Sequence, residues 1–409
     1  MNWLTENELL EFLGQYNYDI RKSHNARWID QKCTPDVICI IADCILEFIK
    51  SHSIQENFTS LDILHDEYTI ENVESIFKKP NPNEKKAKNE YDKFFQQPME
   101  MFANAGILIK TKRKNRNYYK LQNKKVLEYI SVREMNALKF IELYNIKVLS
   151  DSGIYIYFEE FLNKPTSSSY ERMKKEFGDF TINNTPINGM TECNRIFTKV
   201  LNPIAFMKNT YGTEKGRMSK RKITKDMLMY NRNNFRDIFA NKPKEMTRTA
   251  YYELIKDKPN SELIRYQASK AKKILREFND TFNNGVSEIN DDLSNGHAIN
   301  MHHIFPESEF PEISGYLENL IALTPSQHFQ KAHPDGNTRK IDKGFQQICL
   351  LVKAGNIEKN IKCDNDVIYS FDSFVYVLSV GFDSDEYEKV ENMNFIELIR
   401  LINMEYITV

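Results

Sequence analysis

Five of the eight histidines in the chain, His297, His302, His303, His328 and His333, fall within 37 residues. A neutral imidazole is a good ligand for a divalent metal, and its pKa near 6.5 also makes it a proton acceptor at physiological pH. Adjacent residues at the end of a strand point to opposite sides, so His302 and His303 do not readily share one ion. One of them can hold a metal while its neighbour faces a substrate as a base. His328 follows at the start of a helix, where it can serve as a second ligand. Few protein ligands leave positions open for water and phosphate oxygens, as a hydrolytic metal requires. A closed structural zinc site would call for four convergent ligands, usually with cysteine. The nearest cysteine is Cys349, which makes that reading weak.

The elements that must position these groups can be read from the same stretch. Residues 297–303 alternate as a strand, Pro306, Pro311 and Gly315 force an irregular loop, and Glu318 to Leu323 form a second strand. A helix then starts with Thr324 as N-cap, Pro325 at the first position and Gln327 completing a capping box. The expected order is strand, loop, strand, helix, with Pro334 stopping the helix. Five residues turn a helix by about 140°, so His333 joins His328 only if the helix unwinds before Pro334. His297, six residues before His303, is expected either to contact substrate or to pack.

This pattern resembles the HNH (ββα-metal) nuclease family. The family motif is a His or Asp followed by His, then an Asn before the second strand, then His or Asn nine residues later and Lys three beyond. Here it reads His302-His303, Asn319, His328 and Lys331. The resemblance implies His302 and His328 as metal ligands, with His333 a doubtful third, and His303 as general base on the attacking water. Asn319 would fix the loop and orient His303 through hydrogen bonds, and Lys331 would contact phosphate. Surrounding words such as HHIFP and NLIALT look most like HNH proteins among restriction endonucleases. The match covers about 40 of the 409 residues.

The remaining chain is read for what would hold DNA. Residues 34–50 predict a helix capped by Thr34, a short helix opens at Ser60 with Asp62 behind it, and Lys85 to Ala103 makes a third that Pro98 should kink or break. Residues 107–121 then alternate as a hairpin turning at 113–116, with six basic residues and no acid. Three helices and a basic hairpin give the element order of a winged-helix domain. From Lys208 to Arg248 there are 12 Lys/Arg against 4 Asp/Glu, and from Ala354 to Val409 only 4 against 11. The first of these stretches suits phosphate contacts, although a solvated helix face would look similar. Residues 261–278 predict a basic amphipathic helix, and no internal repeat is visible. Pro35-Asp36 with Glu84-Lys85-Lys86 formally matches a second nuclease pattern, PD…ExK, but the helix start already explains Pro35-Asp36. His24, His52 and His65 stand alone.

Composition sets the frame. With 41% hydrophobic and 28% charged residues, and 56 basic against 57 acidic groups, the chain has a globular mix and no bulk cationic character. Six cysteines without a CxxC pair, an acidic N-terminus and the lack of a long apolar run predict a soluble protein of the cytoplasm, in a prokaryotic cell. The expected fold is α+β and mainly helical: residues 1–135 a winged-helix-like domain, 136–285 a helical basic region, 286–350 the HNH module and 351–409 an acidic helical segment. The expected DNA contacts are Lys112, Arg113, Lys114 and Arg116, then Lys220, Arg221, Lys222, Arg232 and Arg236. The expected activity is metal-dependent cleavage of double-stranded DNA, of sequence-specific type II-like restriction character. The alternative is a DNA-binding regulator or defence sensor with an inactive HNH module. Mg2+ is the first choice of ion, with Mn2+, Zn2+, Ni2+ or Co2+ also suited to imidazole ligands. A homodimer is expected, since one such site cuts one strand.

Overall fold

The computed structural model describes residues 4–52, 57–77, 79–84, 88–230, 246, 261–333, 342–363 and 367–407. It is mainly helical, at 62% helix with small antiparallel sheets, as the sequence predicts. No helix among the described residues is long and apolar enough to cross a membrane. The chain divides into two compact units, Glu6–Asp257 and Lys258–Val409 with Met1–Thr5. The segment ends expected at 135 and 350 fall inside helices, Glu134–Asp151 and Lys343–Lys362. A continuous helix is a poor place for a domain boundary, because its hydrogen bonds run straight across it.

The first unit begins with α1 (Glu6–Gly14) and α2 (Ile20–Ser23) and is built around α3 (Pro35–Ser51). Along α3, Val37, Ile38, Ile41, Ala42, Cys44 and Ile45 are all buried. Thr34 sits at its N-cap but makes no capping bond; Asp36 instead accepts the backbone N–H of Tyr230 at 2.9 Å. The next short helix, α4 (Ser60–Leu64), is capped by Thr59 in a capping box with Asp62, one residue before the predicted Ser60. After α5 (Glu67–Phe77), α6 (Lys88–Asn104) runs on through Pro98 rather than breaking there. The predicted hairpin follows as β1 (Leu108–Arg113) and β2 (Arg116–Leu121), paired in register from Leu108↔Leu121 to Arg113↔Arg116. A single bridge from Phe58 to Tyr119 adds a third rung.

Helices α7 (Lys124–Val132), α8 (Glu134–Asp151), α9 (Tyr155–Asn163), α10 (Ser167–Asn184) and α11 (Met190–Met207) continue this unit. The stretch KPTSSS (Lys164–Ser169) leads into α10, where Thr166 and Ser169 form a capping box. One element within this mainly helical region was not expected. Residues 211–222 form a second antiparallel hairpin, β3 (Tyr211–Glu214) and β4 (Arg217–Lys222), before α12 (Lys225–Leu228).

In the second unit, α13 (Ser261–Phe282) packs against both strands of the last sheet. That sheet is β5 (Asn300–His303) paired antiparallel with β6 (Leu320–Leu323), His302 opposite Ile321 and His303 opposite Leu320. All four residues of β6 are buried. The helix after it is short: α14 (Pro325–Gln327) passes directly into a π-helical turn, His328–Ala332. Helices α15 (Lys343–Lys362), α16 (Phe371–Phe382) and α17 (Phe395–Ile407) complete the unit. Inside it, Lys353 is fully buried and pairs with Glu288 at 2.7 Å. Glu288 also takes the backbone N–H of Ala322 at 2.8 Å, so this buried ion pair fixes the second strand of the sheet.

Candidate metal centre and its surroundings

The capping box at α14 forms as the sequence predicts: Gln327 N–H donates to Thr324 Oγ1 at 3.2 Å, and Thr324 N–H to Gln327 Oε1 at 3.1 Å. His328 is thereby held at the beginning of the π-turn. In a turn bonded i to i+5, the residue five positions on comes back over the first. This local winding, and not the fraying of an α-helix, brings His333 to His328; their ring centroids lie 4.7 Å apart. His302 closes the triangle from β5, at 5.2 Å from His328 and 5.1 Å from His333. One ring nitrogen of each of the three lies within 4.8 Å of the others, close enough to share one ion. His333, doubtful from sequence, stands with the pair.

The electrostatics suit a cation-binding group. Burial, and then the neighbouring His328 and His333, hold His302 well below the usual imidazole pKa. Burial, His333 and Lys272 lower His328 as well. Both rings are therefore neutral at physiological pH with lone pairs to offer. His328 Nδ1 is buried without a hydrogen-bond partner among the described residues. An orphaned buried nitrogen is unfavourable unless something accepts its lone pair, and an ion between the rings would do so. Imidazole ligands suit Zn2+ or Ni2+, whereas Mg2+ prefers hard oxygen ligands and keeps its water.

His303 points to the other side of the strand, as alternation requires. Its Nε2 lies 2.9 Å from the carbonyl oxygen of Ser314. A carbonyl only accepts, so Nε2 carries the proton and Nδ1 is left as the basic nitrogen. Burial, with the charge of Lys272, lowers the ring to about 4 against the partial support of the Ser314 bond. Nδ1 lies 4.0 Å from Glu307 Oε2.

Asn319 is fully buried and does fix the loop. Its Oδ1 accepts Phe305 N–H at 2.8 Å, and its Nδ2 donates to Phe305 O at 3.0 Å and Ile313 O at 3.3 Å. It does not bond to His303. The orienting group is the Ser314 carbonyl, on the loop that Asn319 clamps, so the predicted link acts at one remove. Lys331 is also engaged elsewhere, with Asp291 at 3.1 Å and Asp292 at 2.7 Å. Among the described residues, Lys272 on α13 is a cation whose charge acts on His302, His303 and His328. Sequence reading placed Lys272 on a basic amphipathic helix but had no means of bringing that helix to the site. His297 is exposed, its ring against Gly285, and lies outside the cluster.

Lys112, Arg113, Lys114 and Arg116 are exposed on the first hairpin. Lys220, Arg221 and Lys222 are exposed on β4, a strand rather than the predicted helix. Arg232 and Arg236 lie outside the described residues, as do Lys85 and Lys86 of the PD…ExK match. Its Asp36 is buried on the Tyr230 backbone, which suits a structural role. No family model, curated protein or solved structure matches the chain.

Proposed function

We propose that the chain is a metal-dependent endodeoxyribonuclease of the HNH type, acting on double-stranded DNA. The observation that carries this reading is the division of the histidines across β5. His302 joins His328 and His333 on one side, while His303 on the other, anchored through Nε2 to the Ser314 carbonyl, presents an unprotonated Nδ1. A structural metal site has no use for a neutral, carbonyl-anchored imidazole beside it; hydrolysis does.

In the proposed reaction His302, His328 and His333 hold a divalent ion, which when bound polarises the phosphate and stabilises the departing 3′ oxygen. His303 Nδ1 takes a proton from water as the water oxygen bonds to phosphorus and the bond to the 3′ oxygen breaks. The Ser314 carbonyl keeps the ring in the required tautomer and gains strength as a partner when the ring becomes charged. Lys272 offsets negative charge on the phosphate, the role first assigned to Lys331. The first hairpin, with α3 to α6 behind it, supports a winged-helix reading in which Lys112, Arg113, Lys114 and Arg116 meet the DNA backbone. A restriction-type, sequence-specific enzyme acting as a dimer in a prokaryotic cytoplasm completes the proposal.

The test is supercoiled plasmid incubated with protein in EDTA and with Mg2+, Mn2+, Zn2+, Ni2+ or Co2+. Nicked or linear product that needs an ion is the expected result. Plasmid left supercoiled with every ion, by protein that still binds DNA, would overturn the reading in favour of a regulator with an inactive module.

A further inference from the structure

The first unit contains one supersecondary block twice. In each copy a long helix with an internal proline, α6 with Pro98 and α11 with Pro203, leads into a basic hairpin. The helices end alike. Ala105, Gly106 and Ile107 donate their N–H groups to Met101, Ala103 and Phe102; Lys208, Asn209 and Thr210 donate to Ile204, Phe206 and Ala205. In both, the middle residue is left-handed, Gly106 at φ 79° and Asn209 at φ 47°, which satisfies the last helix carbonyls. The third residue then accepts an N–H from beyond the hairpin: Ile107 O from Gln122 and Thr210 O from Ile223, at 3.0 and 3.1 Å. Each hairpin turns on two residues beginning with a left-handed lysine, Lys114 (φ 53°) and Lys215 (φ 51°). A helix starts after two intervening residues past each hairpin, at Lys124 and at Lys225. Helix α8 packs on α3, α7 and α11, and the two copies lie in one compact unit.

The charge pattern repeats too. Elsewhere in this unit many basic side chains have acidic partners, as in Lys147–Asp151, Arg172–Glu160 and Lys225–Glu134. On the first hairpin, Lys112, Arg113, Lys114 and Arg116 are exposed and have no acidic partner among the described residues. On the second the same holds for Lys215, Arg217, Lys220, Arg221 and Lys222, and Glu214 is the single acid between 211 and 222. Like charges gathered without counter-charges repel one another and are relieved by a polyanion.

We infer that this unit grips one DNA duplex with two equivalent hairpins, giving the protein a bipartite footprint. The inference rests on the proposal that the protein binds DNA. It is tested with the full-length protein in EDTA and a fluorescent duplex of about 30 base pairs, long enough for two such contacts, measuring affinity across a salt series. One variant carries Lys112→Gln, Arg113→Gln, Lys114→Gln and Arg116→Gln; a second carries Lys215→Gln, Arg217→Gln, Lys220→Gln and Arg221→Gln; a third combines them. Each lost phosphate contact flattens the slope of log K against log salt by about 0.9. Each single-hairpin variant should therefore flatten it by about two to four, and the combined variant by the sum. A second-hairpin variant with the wild-type slope, beside a flattened first-hairpin variant, would overturn the two-hairpin inference and leave DNA binding standing. Wild-type protein without salt-dependent binding would remove both. If the fourfold second variant loses its thermal transition, Lys215→Gln with Lys220→Gln replaces it, with a flattening of about one to two expected and no change overturning the inference.

Discussion

Replacing Asn319 by alanine removes the clamp on the loop that carries Ser314, without touching any of the clustered imidazoles. Asn319 is fully buried and supplies the side-chain partner for both Phe305 N–H and Phe305 O, at 2.8 and 3.0 Å. Ile313 O keeps a second donor, Tyr316 N–H, and is less exposed to the loss. Two buried backbone groups left unpaired cost about 1–3 kcal/mol each, or about 4 kcal/mol together. For a unit of this size that corresponds to a melting temperature lower by about 8–16 °C. Calorimetry of the full-length variant gives the first readout. The second follows from the route Asn319, loop, Ser314, His303. Cleavage should fall while metal affinity, measured by titration calorimetry, stays within about threefold, because the proposed ligands His302, His328 and His333 stand on β5 and at the two ends of the π-turn. A melting loss under about 2 °C would refute the clamp. Metal affinity falling together with cleavage would refute the separation of base and metal side.

Three other outcomes follow from the same geometry. His333→Ala should weaken Zn2+ or Mn2+ binding by at least about tenfold, the scale on which even outer-shell contacts act; unchanged affinity would take His333 out of the ligand set. His303→Ala should bind metal and DNA as the wild type does yet cleave about 100- to 10,000-fold more slowly; near-normal cleavage would end its role as base. Lys272→Gln should reduce cleavage by about 100-fold or more, the scale of a single transition-state charge contact. Lys331→Gln should leave it within about threefold, and the reverse order would return phosphate contact to Lys331. In metal-free protein the folded state holds the His303 ring at about 4 against an ordinary value of 6.5. The unfolded chain then binds that proton more readily. The stabilising contribution is complete above pH 6.5 and is lost as the pH falls toward 4, at about 1.4 kcal/mol per pH unit. Denaturation midpoints at pH 7.5 and 5 should show this fall, and His303→Gln should reduce it; a fall of the same size in that variant would refute the assignment to His303.

Much of the candidate site was legible in the sequence because local chemistry governs it. Strand alternation separates His302 from His303, and the Thr324–Gln327 capping box sets where His328 begins its turn. The first hairpin followed from alternation and a basic turn, and the helical starts from Pro35 and the Thr59–Asp62 region, with errors of a residue or so. The sequence did not decide His333. An α-turn and a π-turn differ by one residue in hydrogen-bond spacing, and no propensity rule distinguishes them at HFQKA. Nor did it reveal the second hairpin, whose strand β3 is four residues with an irregular register. Gly106 and Asn209 are different residue types that fill the same left-handed position, so the repeat is carried by backbone conformation and not by letters. The rest belongs to long-range contact. Lys272 is one lysine among several on α13 until the helix packs on β5 and β6, and Lys331 is engaged by Asp291 and Asp292, 40 and 39 residues away in sequence. Which cation lies near the histidines is thus a matter of tertiary packing, because charge acts across space and spacing along the chain does not encode it.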